Sequence, residues 1–216
     1  LATHSAHIAG TIAAAGVDPA ARGMAPAARV DAYSKGGDLS EMTSRAATAP
    51  DQLDTHIYLS NHSYGPLIGW WAGTWFGDGQ NANAAEFRFG RYENISRNQD
   101  ALAYNAPYYL IFRSAGNERE DNPEPGESVT LAPVGGDTVT YDPLLHPPGD
   151  GVYRNGYETI APDAIGKNIV TVAAVEDAVT DGFRDIAMAS LTSFTSAGPA
   201  DDGRIKPDLV ANGAEL

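Results

Sequence analysis

The sequence predicts an α/β fold: a doubly wound, mostly parallel sheet with helices on both faces. Two observations carry this. Strand-like and helix-like segments alternate along the chain, and the clearest strand, Asn168–Val175, is a continuous apolar, β-branched run rather than a pattern of period two. A parallel sheet covered on both faces asks for such runs. The composition agrees, since 216 residues at 43% hydrophobic can bury a sizeable core, and this length suits one domain.

The elements follow in order. Residues 5–15 are small and apolar and end at Gly16, and Thr3 can cap their start, so a buried helix is expected over about 4–15. Gly23-Met24-Ala25-Pro26 reads as a turn and Arg29–Ser34 as a short strand. Leu39–Thr48 reads as a helix, with Asp38 or Ser40 as cap, and His56–Asn61 as the next strand. Residues 66–95 break the alternation with Trp70, Trp71, Trp75, several Gly, Phe76, Phe87, Phe89 and Tyr92. A helix at about 97–106 and a strand at Tyr108–Arg113 come next. Glu118–Glu127 holds five acids and two prolines and reads as a solvated loop, and residues 128–160 are Gly/Pro-rich with short strand signals. Asp208–Ala211, after Pro207, is a last short apolar segment. No internal repeat is present.

Several function classes are excluded early. With 14 Lys+Arg against 28 Asp+Glu, the net charge is −14, and nucleic-acid binding needs the opposite footprint. No run of about 18 apolar residues is long enough to span a membrane. Cysteine is absent, which excludes disulfides and thiolate metal sites and leaves the redox compartment open.

In parallel sheets, functional residues sit at the carboxyl ends of strands, which directs attention to Asn61–Gly65 and Ser114–Asn117. Motifs at these and other places resemble those of subtilisin-like serine proteases. His4-Ser5-Ala6-His7-Ile8-Ala9-Gly10-Thr11 resembles the family's His-Gly-Thr-His-Val-Ala-Gly-Thr, departing at Ser5, Ala6 and Ile8. Gly23-Met24-Ala25-Pro26-Ala27-Ala28 resembles its Gly-Val-Ala-Pro-x-Ala turn, Asn61-His62-Ser63-Tyr64-Gly65 its Asn-x-Ser-x-Gly, and Ser114-Ala115-Gly116-Asn117 its Ala-Ala-Gly-Asn. Asn168–Val175 resembles a core strand, and Ser193-Phe194-Thr195-Ser196-Ala197-Gly198-Pro199 resembles Ser-Phe-Ser-Ser-x-Gly-Pro. Residues 202–213 resemble Asp-Gly-Arg-x-Lys-Pro-Asp-x-x-Ala-Pro-Gly, with Asn212 in place of the Pro. Each motif is weak to moderate alone; their order along residues 4–213 makes the resemblance specific. Ala103-Tyr104-Asn105-Ala106-Pro107-Tyr108-Tyr109, after a Trp- and Gly-rich loop, is similar to secreted members of the Bacteroidetes type.

The resemblance implies roles. His4 takes the general base, a group that proton transfer from a serine hydroxyl requires near neutral pH. Asn117 takes the side-chain donor to the oxyanion of the tetrahedral intermediate. Ser63, Tyr64 and Gly65 take the strand that pairs with an extended peptide substrate, and Ser114, Ala115 and Gly116 line the cleft beside it. His7 corresponds to a structural histidine. His4 and His7 are also spaced to share a helical face as metal ligands, but a zinc site needs a third protein ligand and no His-Glu-x-x-His is present.

The resemblance also shows what the 216 residues do not contain. The family's triad runs Asp…His…Ser. No Asp-Ser/Thr-Gly and no Gly-Thr-Ser-Met-Ala occurs. The chain is therefore expected to be the central part of one peptidase domain over residues 1–216, incomplete at both ends, with insertions at 66–95 and 118–160. It is expected to be inactive alone, within a parent that is an extracellular or cell-surface endopeptidase. An inactive pseudoprotease that binds peptides or glycans is the alternative. No cofactor is required. Calcium enters as a candidate structural ion because the family often binds it in acidic loops; Glu118, Glu120, Asp121, Glu124 and Glu127 supply oxygens without a fixed ligand spacing.

Overall fold

A computed structural model describes residues 2–46, 56–132 and 135–214. The chain divides into two compact units, Leu1–Glu41 and Met42–Glu215.

The first unit is built on helix α1, Ala2–Ala13. The expected helix is present, but it is not buried: Thr3–His7 and Ala9 are exposed and its second half is half-buried. The returning loop packs on it. Gly23 N–H donates to Ala14 O at 3.0 Å, Met24 N–H to Thr11 O at 2.9 Å and Ala25 N–H to Ile12 O at 2.7 Å. Gly23 has to be glycine for this approach, because a Cβ there would lie 2.4 Å from Ala14 N and 2.7 Å from Ala13 N. Arg29–Ser34 forms no strand and is exposed along its length. Its apolar residues Val30 and Tyr33 suit a pleated surface, but a strand exists only where another strand satisfies its backbone, and among the described residues none pairs with it.

Helix α2, Asp38–Ala46, buries Met42 and Ala46 and carries Asp38 and Glu41 in its first turn and Arg45 in its last, each complementing the helix dipole. Residues 47 and 48 of the expected helix lie outside the described residues.

The second unit continues as β1 Leu59–His62, β2 Trp70–Trp71, β3 Thr74–Trp75, α3 Asn94–Asn105, β4 Leu110–Ser114, β5 Ser128–Thr130, β6 Thr138–Thr140, the single-turn α4 Asp150–Tyr153, β7 Val170–Val175, β8 Val179–Thr180, β9 Phe183–Arg184 and β10 Leu209–Asn212. Four of these strands form the parallel sheet, in the order β1-β4-β7-β10. Strand order in space follows strand order in sequence.

One face of the sheet is buried and the other is partly open. Ile111 and Arg113 of β4 and Thr171 and Ala173 of β7 are buried, while their neighbours along each strand are half-buried or exposed. So β7 shows a periodic burial that its uniformly apolar sequence does not betray: every side chain suits an interior, but only alternate ones reach it. Three polar side chains lock the sheet's lower edge, one of them from a helix. Asp100 of α3 accepts the N–H of Lys167 at 2.7 Å and of Asn168 at 2.7 Å, just before β7. Lys206 is buried, pairs with Asp208 at 2.6 Å and donates to Ile169 O at 3.2 Å. Asp208 in turn accepts Thr171 N–H at 2.7 Å, which fixes β10 against β7.

The aromatic segment and the Gly/Pro-rich segment come together as one small sheet, β2-β3-β5-β6. Trp70, Trp75, Val129, Leu131 and Tyr141 form its core. Both buried indoles are satisfied, Trp70 Nε1 donating to Pro148 O at 3.1 Å and Trp75 Nε1 to Gly79 O at 2.7 Å. Trp71 alone of the three is exposed, at 53%. A glycan-binding face built on these tryptophans would therefore have one ring, not three.

Beneath this sheet lies Asp150, whose Oδ2 accepts Trp70 N–H at 2.7 Å. Burial pushes its carboxyl up to about 9, and the nearby Asp121, Glu118 and Glu86 charges add to the push against the opposing Trp70 N–H.

Two outcomes follow. Trp75→Ala should cost about 3–5 kcal/mol in urea unfolding, and Trp71→Ala, half of it exposed and edge-on to Phe76 at 6.3 Å, under about 1.5 kcal/mol; equal losses would contradict this core. Between pH 3.8 and about 9, the folded chain keeps a proton on Asp150 that the unfolded chain releases. Stability should then fall as pH rises through that window. Asp150→Asn, which keeps an oxygen for Trp70 N–H, should flatten the decline in melting temperature between pH 5 and pH 8; an unchanged slope would contradict it.

Candidate active site

The parallel register sets the site. His62, the last residue of β1, lies opposite Arg113, next to last in β4. The segments that leave these two strands, Ser63–Gly65 and Ser114–Asn117, therefore emerge side by side at the carboxyl edge of the sheet. Ser63 and Tyr64 are half-buried and Gly65 is exposed. The second segment stays tied to the sheet at first, Ala115 N–H donating to Val172 O at 2.8 Å with its methyl in the core. It then rises through Gly116, at φ +111°, to the exposed Asn117, where a helical turn over Glu118–Glu120 begins.

Buried polar groups hold the first segment. The Tyr64 hydroxyl bonds His62 Nδ1 at 2.8 Å, His62 Nε2 bonds Ser60 Oγ at 2.8 Å, and the Tyr109 hydroxyl donates to Ser60 Oγ at 2.6 Å. The Arg113 guanidinium stands 5.2 Å from the Tyr64 ring centre. Arg113 pairs with Asp163 at 3.5 Å, both side chains almost wholly buried. Gln99 of α3, with its amide turned to suit both neighbours, donates to Asp163 O at 2.9 Å and accepts from Arg113 Nη2 at 2.9 Å. A Cβ on Gly65 would stand 3.4 Å from either Asp163 carboxylate oxygen, so the backbone at Gly65 runs directly over this ion pair.

The second segment is held from the other side. Ser196, fully buried, donates its N–H to Gly116 O at 2.9 Å. Its Oγ accepts Glu118 N–H at 3.1 Å and donates to Glu118 Oε2 at 2.6 Å. Burial pushes the Glu118 carboxyl up, and the Ser196 hydrogen bond opposes that push.

The expected site residues thus fall into two groups. Ser63–Gly65 and Ser114–Asn117 are brought together in the second unit. His4 lies in the first unit, exposed on α1, three residues from His7 on the same helical face. Sequence reasoning did not single out Gln99, Arg113 or Asp163, named His62 and Ser196 only within motifs, and named Glu118 only among oxygens for a candidate calcium ion. One signal was present: an arginine closing the apolar run Tyr108–Arg113 demands a buried partner. The acids of the 118–127 loop serve separate ends, with Glu118 on Ser196 and Glu127 accepting Glu124 N–H at 3.0 Å. Among the described residues no group of three or more His, Asp or Glu side chains is gathered to hold a metal ion.

The family model described as "Subtilase family" matches residues 1–215. The chain belongs to the subtilase family. Its α/β architecture with a four-stranded parallel sheet is that of a subtilisin-like fold. Among curated subtilase-like relatives, the serine protease AprX of Bacillus subtilis is 29% identical over 114 residues, covering 45% of this chain and 25% of that protein. The serine protease/ABC transporter B family protein tagD of Dictyostelium discoideum is 21% identical over 248 residues, covering 97% of this chain and 13% of that protein. The chain thus spans a quarter or less of the length of these two relatives. No helix among the described residues is long and apolar enough to cross a membrane.

Proposed function

We propose that the protein carrying this chain is a serine endopeptidase, secreted or held at the cell surface, that cleaves extended peptide segments. The observation that supports this most is the pairing of two strand ends: a substrate-strand segment, Ser63–Gly65, beside a turn that presents the exposed Asn117. A peptide laid along Ser63–Gly65 as an added strand gains main-chain hydrogen bonds without any demand on its sequence. Its scissile carbonyl then faces the Ser114–Asn117 turn, where the Asn117 amide stabilises the charge that develops on the carbonyl oxygen.

His4 is the general base of this mechanism. It takes the proton of the nucleophilic serine and returns it to the leaving amine, and an aspartate fixes its tautomer. The serine and the aspartate come from sequence outside these 216 residues, so the chain by itself does not cleave. The buried Arg113–Asp163–Gln99 cluster supports the substrate strand as a rigid floor.

The test uses the full-length protein. It should cleave an unstructured peptide substrate, and a serine-directed phosphonyl or sulfonyl reagent should abolish that cleavage. Asn117→Ala should lower kcat with little change in KM. The size expected, about 10²–10³, is that of the subtilisin oxyanion donor itself and is borrowed from that case. Absence of cleavage, or cleavage indifferent to the serine reagent, would overturn the proposal.

A further inference from the structure

Asn117 needs its aim fixed, and its own side chain does not fix it. Among the described residues no hydrogen bond holds its amide, and it makes no capping bond to the turn that it starts. Its direction is therefore set by the backbone on either side. That backbone is unusual: Gly116 sits at φ +111°, which disfavours any residue with a side chain, and a Cβ there would lie 2.1 Å from Glu118 Oε2 and 2.9 Å from Ser196 Oγ. Glycine adopts this shape without penalty, and the neighbours crowded around Gly116 are what fix it there.

We propose, on the endopeptidase reading above, that Ser196 is the positioning residue for Asn117. Ser196 grips both flanks of the asparagine. Its N–H holds Gly116 O at 2.9 Å on one side, and its Oγ bridges the Glu118 N–H at 3.1 Å and the Glu118 carboxylate at 2.6 Å on the other. The bridge is consistent in its protons: Glu118 N–H donates to Ser196 Oγ, and Ser196 Oγ–H donates to Glu118 Oε2. The grip is anchored in turn. Thr195 Oγ1 accepts the Ala174 N–H of β7 at 3.0 Å, and Ala197 N–H donates to Thr159 Oγ1 at 3.0 Å. The clamp thus transfers the rigidity of the central sheet to an exposed amide, and an oxyanion donor loses its value when displaced by about 0.5 Å. Ser196 touches no substrate; it acts only through Asn117.

A double-mutant cycle in the full-length protein tests this. Ser196→Ala should lower kcat at least tenfold and leave KM within about threefold, because only a transition-state contact is lost. In an Asn117→Ala background, Ser196→Ala should cost nothing further. Glu118→Ala attacks the same clamp from its half-exposed end and should give the same non-additive pattern, whereas Glu118→Gln, which keeps an acceptor oxygen, should recover most of the rate. This second pair decides the matter if Ser196→Ala does not fold. Losses that multiply in the Asn117→Ala background, or that appear in KM, would overturn the clamp and leave the endopeptidase reading intact. A wild-type protein that cleaves no peptide would overturn that reading and the clamp with it.

Discussion

Parallel pairing of Leu59–His62 with Leu110–Ser114 is the constraint on which the candidate site depends. Parallel strands point their carboxyl ends the same way, so the residues that follow each strand must leave the sheet on one edge. A shift of one residue in this register would turn Arg113 from the buried face to the open one. It would separate Arg113 from Asp163 and Gln99 and remove the floor beneath Gly65. Removing one member of a buried ion pair typically costs about 3–5 kcal/mol, so the register and the polar floor enforce each other.

The two segments at this edge are held by different means, which suits different tasks. Ser63–Gly65 lies over a buried ionic cluster and is tethered through Tyr64, His62, Ser60 and Tyr109. That arrangement makes a rigid edge for an extended chain. Ser114–Asn117 leaves the sheet through a glycine at positive φ and ends on an exposed amide, held from below by a buried serine. On the proposed reading, the first segment offers backbone to a peptide and the second offers one donor directed at the oxyanion. The small aromatic sheet stands apart from this chemistry. Trp70 and Trp75 are consumed in packing, and Asp150 at its base is held neutral by burial.

Much of this was legible in the sequence, for reasons that can be named. Strand β7 and helix α3 declare themselves through local pattern, and the ordered motifs place Ser63–Gly65 and Ser114–Asn117 at strand ends. Arg29–Ser34 shows the limit: its composition suits a strand, but pairing is a property of a partner that the segment does not encode. The Ser196–Glu118 contact spans 78 residues and joins two motifs that each looked complete alone. Nothing in either motif reports that contact. Arg113 is the intermediate case, because a charge in an apolar run signals a buried partner without saying that Asp163, fifty positions on, supplies it. The burial of α1 was over-read for a similar reason: small side chains permit close packing but do not supply the surface to pack on.

The most direct test of the account is a crystal structure of the full-length protein with a peptide boronic acid, which mimics the tetrahedral intermediate at a catalytic serine. The account predicts a peptide strand hydrogen-bonded along Ser63–Gly65 and a boronate oxygen about 2.7–3.1 Å from Asn117 Nδ2. A peptide bound elsewhere, or a boronate oxygen with Asn117 turned away from it, would contradict the account.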